Sequence, residues 1–152
     1  MRTSPSERRR CKLLRELKLA RGSLQEFEFS LRSAATLAST TSGSPSNDAT
    51  ILLGVVHQAR IGLDRRLAEL GALELSKNTG SVRPIAAPQS LPAPEVSTLS
   101  LCIDACRACG RALAAAFREA QKAADAGSAR ILYGPIRDLE KQIWVLDPRQ
   151  TQ

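Results

Sequence analysis

Aromatic side chains are scarce in this chain: one Trp, one Tyr and three Phe among 152 residues. A core must then be assembled from Leu, Ile, Val and the abundant Ala, the strongest helix former, and such a composition favours helix-on-helix packing over a sandwich or a barrel. No run of 18 apolar residues occurs, so no segment is expected to span a bilayer. Alternation of period two, the mark of a half-buried strand, is missing. So are a phosphate loop, a dinucleotide fingerprint and a nucleophile motif. The basic start lacks an apolar run followed by a cleavage site, which argues against a secretory signal, although its Arg-rich, Ser-containing composition is similar to that of an organelle transit peptide. Four cysteines are then expected to stay as thiols in a reducing cytoplasm. With 43 % apolar residues, the length suits one globular domain with a real core.

Negative charge is almost missing from the first 21 residues. Arg2, Arg8, Arg9, Arg10, Lys12, Arg15, Lys18 and Arg21 stand there against Glu7 and Glu16, which puts six of the seven net positive charges in that stretch. This asymmetry points to a polyanion, nucleic acid first and an anionic membrane surface second, or else to a solubilising tail. The eight cations are the candidate DNA-binding residues.

Hydrophobic spacing predicts four helices. Leu13, Leu17, Ala20, Leu24, Phe27, Leu31, Ala34 and Ala38 alternate at steps of four and three, a bundle seam on a helix from about Ser6 to Ala38. Turn-forming residues at Ser39–Asp48 read as a loop. A second helix, capped by Asn47 or Asp48, carries Leu52, Val56, Ala59, Leu63, Leu67 and Leu70 and stops at Gly71. Four prolines between residues 74 and 94 (Pro84, Pro88, Pro92, Pro94) exclude a continuous helix and define a long crossover. The third helix starts at Pro94–Glu95, carries Leu99, Cys102, Cys106, Cys109, Leu113, Ala116 and Ala120, and ends at Asp125-Ala126-Gly127, where Ser128 can cap the next. In the fourth, with Leu132, Ile136, Leu139, Ile143 and Leu146, Pro135 implies a kink or a start at that residue. The expected fold is an all-α, antiparallel four-helix bundle, ferritin-like in having one long crossover between helices two and three. Residues 1–12 form a basic arm and 13–148 a single bundle domain.

Three constellations could carry chemistry. Cys102, Cys106 and Cys109, at i, i+4 and i+7, could bind a soft ion such as Cu(I), or simply pack as small hydrophobes in the seam. The segment LCIDACRACG is similar to the cysteine-rich helices of copper-storage bundles. His57, Asp64 and Glu69, with Glu26 and Glu28 as partners from helix one, could contribute to an iron or zinc site, or make ordinary surface salt bridges. Trp144 reads as an anchor between helices or between subunits.

The segment FREAQKAADAGSARILYGPIRDLEKQIWVLDPRQ resembles the last two helices of the Dps family, the ferritin-like DNA-binding proteins of starved bacteria, and LDRRLAELGALEL is similar to the stretch that precedes the family's crossover. The resemblance implies sequence-independent, nucleoid-associated DNA binding, a homo-oligomeric shell and ferroxidase chemistry with iron. It covers a third to a half of the chain. Ala34 and Ala35 stand where the family has His-Trp, and Asp64 and Glu69 are five apart where its carboxylates are four apart, so no metal ligand carries over and iron sequestration is expected to be weak or lost. A cysteine-bearing bundle that holds a soft metal and a helical interaction module with a basic tail are the alternatives.

Overall fold

The computed structural model describes residues 2–41, 47–72 and 95–147, with side chains at 2–33, 49–72 and 101–147. Four helices make it up: α1 (Pro5–Thr41), α2 (Asn47–Glu69), α3 (Glu95–Lys122) and α4 (Ala126–Leu146). Among the described residues there is no strand. The expected seams form the core: Leu13, Leu17, Ala20, Leu24, Phe27 and Leu31 of α1 meet Leu52, Val56, Ala59, Leu63 and Leu67 of α2, Cys106, Cys109, Leu113, Ala116 and Ala120 of α3, and Leu132 and Leu139 of α4. The side chains of Ala34, Ala38 and Leu99, and the crossover at 74–94, lie outside the described residues.

Side-chain partners fix the topology. Arg21 of α1 pairs with Asp64 of α2, and Glu28 pairs with His57 and Arg60 further up, so these helices are antiparallel. Ser23 meets Cys109, while Lys12 acts electrostatically on Glu119, so α3 is also antiparallel to α1. Arg66 meets Asp125 at one end of α2, and Arg107 of α3 meets Asp147 at the far end of α4, so α4 runs against both α2 and α3. The helices pack as a ring in which α1 and α4 each touch α2 and α3, leaving α2 and α3 as a diagonal pair. α2 and α3, both antiparallel to α1, are therefore parallel to each other across that diagonal. This is the up-down-down-up layout of ferritin-like bundles.

The helix ends follow from local chemistry, and three differ from the sequence expectation. α1 begins at Pro5 behind a capping box: the Ser4 hydroxyl accepts from the Glu7 amide at 3.2 Å, and the Ser4 amide donates to the Glu7 carboxylate at 2.7 Å. Thr41 and Asn47 are helical, so the expected loop at Ser39–Asp48 is shorter than its composition implied. The cap of α4 is Asp125 rather than Ser128, and Gly127 lies inside the helix. α4 also runs through Pro135 instead of starting there. Gly71 does stop α2: at φ 75° it lets its own amide bond the Ala68 carbonyl and the Ala72 amide bond that of Leu67.

Candidate nucleic-acid interface

Every residue from Arg2 to Lys12 is exposed, and Leu13 is the first buried side chain of α1. The capped first turns therefore carry their charges on regular helix without contributing to the core. Arg8, Lys12 and Arg15, at i, i+4 and i+7, share the outer face opposite Leu13, Leu17 and Leu24, with exposed Lys18 beside them. Such like charges at helical spacing repel one another, and a polyanion would relieve that repulsion. Arg2 and Arg9 are also exposed. Two of the eight expected residues are engaged inward. The Arg10 guanidinium donates to the Leu70 carbonyl at 3.4 Å, which satisfies an end-of-helix acceptor. Arg21 is half-buried in an ion pair with Asp64.

That pair belongs to an ionic cluster between α1 and α2. Glu28 is buried on the seam, three residues before Leu31, and takes Arg60 Nε at 2.5 Å, His57 Nδ1 at 2.7 Å and Arg32 at 2.9 Å. Burial pushes its carboxyl up, but the hydrogen bonds from Arg60, His57 and Arg32, together with the Arg60 charge, outweigh that and hold it down at about 2. An ionised Glu28 accepts only, so His57 donates from Nδ1. Arg60 also holds Asp64, at 3.0 Å. Of the expected metal candidates, His57 and Asp64 do come together with Glu28, but around the guanidinium groups of Arg60 and Arg21. Glu69 is drawn away to Arg66, at 2.9 Å, and Glu26 is exposed. These carboxylates are already neutralised by fixed cations, and a divalent ion placed among them would face the same positive charge. The set does not fit iron. Among the described residues no group of three His, Cys, Asp or Glu is arranged to hold a metal ion.

Cys106 and Cys109 are buried and Cys102 is half-buried, all as thiols. The Cys109 thiol donates to the Ser23 carbonyl at 3.4 Å. Burial, with the two neighbouring thiols adding to it, pushes Cys106 up to about 12. Cys102 is raised by burial alone; Cys109 is raised by burial against the opposing Ser23 hydrogen bond. Thiolates are what a soft ion needs, and this environment favours the protonated form. Trp144 is 58 % exposed on α4, so it does not anchor one helix of this bundle to another.

Compared with known proteins, the chain matches no family model, no curated protein and no solved structure.

Proposed function

We propose that this bundle binds double-stranded DNA through its phosphates, without sequence preference, using the exposed basic start of α1, as the resemblance to Dps implies. The observation that carries the reading is the capped, outward-facing helix bearing Arg8, Arg9, Lys12, Arg15 and Lys18 with no buried side chain before Leu13. Cations that pair with phosphates carry no sequence information, which is how non-specific binding arises. Iron oxidation forms no part of the proposal, because the carboxylates of Glu28 and Asp64 are bound to Arg60 and Arg21. The exposed Tyr133, Trp144 and Val145 of α4 are the surface we assign to contact between copies in a homo-oligomer. Two duplexes of equal length and unrelated sequence, titrated by fluorescence anisotropy at low salt, test the binding claim. Affinities within about threefold of each other are expected, since phosphate contacts carry no sequence information. A strong preference for one duplex, or no binding to either, overturns it.

A further inference from the structure

We infer that the duplex-binding surface is not α1 alone but a two-helix face, completed by Arg111, Arg118 and Lys122 of α3. This rests on the DNA reading above. The three residues are exposed, and their spacing of seven and four places them on one outer face of α3, opposite the buried Leu113, Ala116 and Ala120. α1 and α3 are antiparallel neighbours, and Lys12 lies level with Glu119, so the α3 row runs beside Arg8, Lys12, Arg15 and Lys18. Packed helices put the two axes about 10 Å apart, so both rows can lie against one duplex. Each row extends over about 15 Å at 1.5 Å per residue.

The acid beside the α3 row is answered from within the protein. Glu119 is hydrogen-bonded by Lys122 at 3.0 Å, and Lys12 and Arg118 add their fields, so its carboxyl stays below the usual range. At the far end of the bundle, where α4 ends, two acids, Asp104 and Asp147, share one cation, Arg107. A duplex is therefore directed to the α1/α3 face near the start of α1. A rod with two charged strands answers two parallel rows of cations, whereas a single arm answers one.

The test is the salt dependence of duplex affinity for R111Q/R118Q/K122Q in the full chain. The slope of log K against log salt changes by about 0.9 for each phosphate that is no longer neutralised, so a slope shallower by about 2 to 3 is expected. R111K/R118K should keep the native slope, and R137Q/K141Q, on α4, which among the described residues does not touch α1, should leave it unchanged. Thermal melting confirms that each variant is folded. An unchanged slope in the triple variant, with binding still weakened by deletion of residues 2–12, overturns the two-helix face and leaves the DNA reading standing. An equal loss in R137Q/K141Q also overturns it, because net charge alone would then explain the effect. Binding to vesicles of anionic lipid without binding to duplex sinks both.

Discussion

Glu28 stands on the apolar seam of α1 between Leu24 and Leu31, and a carboxylate there persists only with charge brought to it. Its ordinary value of 4.5 falls to about 2 in the fold, so its contribution to stability is fully present above about pH 4.5 and is lost as pH falls toward 2. Two and a half pKa units correspond to about 3 kcal/mol. Glu28→Gln should cost about 2 to 3 kcal/mol at neutral pH and flatten the acid limb, which urea melts from pH 2 to pH 7 would check. A variant that keeps the native acid limb would remove Glu28 from this role. The seam position of Glu28 was visible in the sequence, but its partners were not: choosing between Glu26 and Glu28 for His57 needs the rotation of α1 against α2. The cysteines were more legible, because Cys106 and Cys109 continue the stripe of Leu113. Replacing Cys102, Cys106 and Cys109 by Ala should cost about 1 kcal/mol for each buried sulfur. Added Cu(I) should leave the native melting temperature nearly unchanged. A large Cu(I)-dependent rise, abolished by the triple substitution, would show the thiols to be ligands.

At the scale of the element, the α3–α4 turn is the joint that composition misplaced. Asp125 Oδ1 accepts from the Ser128 amide at 3.1 Å, and the buried Ser128 hydroxyl donates to Asp125 Oδ2 at 2.8 Å. Arg66 of α2 ties both into the bundle, at 2.7 Å from Asp125 and 3.0 Å from Ser128. The guanidinium lies against Gly127, where a Cβ would come within 2.9 Å of it. Gly127 looked like a stop signal, yet it serves this approach, and the left-handed position falls to Ala124 at φ 55°. A non-glycine residue there is strained by about 1 kcal/mol. Ala124→Gly should therefore stabilise the protein by about 0.5 to 1 kcal/mol, read as a higher melting temperature. A lower melting temperature would contradict this account of the turn. Gly71, by contrast, was legible because its position after Leu70 and its required conformation coincide.

At the scale of the whole molecule, the periodicity of the sequence delivers four helices and their inward faces, but not their ring order or which ends meet. Those depend on partners such as Arg21–Asp64 and Arg107–Asp147, which no spacing rule connects. The same gap hid the α3 row of Arg111, Arg118 and Lys122, since only the antiparallel packing sets it beside α1. If α4 mediates assembly, Trp144 passes from water into an interface, and its fluorescence should shift to shorter wavelength as concentration rises, with solution mass increasing in parallel. A monomeric mass at every concentration would contradict the homo-oligomer. The central claim, phosphate binding by the start of α1, is tested most directly by duplex affinity against salt for the full chain and for the chain lacking residues 2–12. That deletion removes Arg2, Arg8, Arg9, Arg10 and Lys12 and no buried side chain, so the core is retained. Each neutralised phosphate accounts for about 0.9 of slope, and a slope shallower by about 3 to 4 is expected, with weaker binding throughout. Equal affinity and equal slope for the two chains would contradict the account.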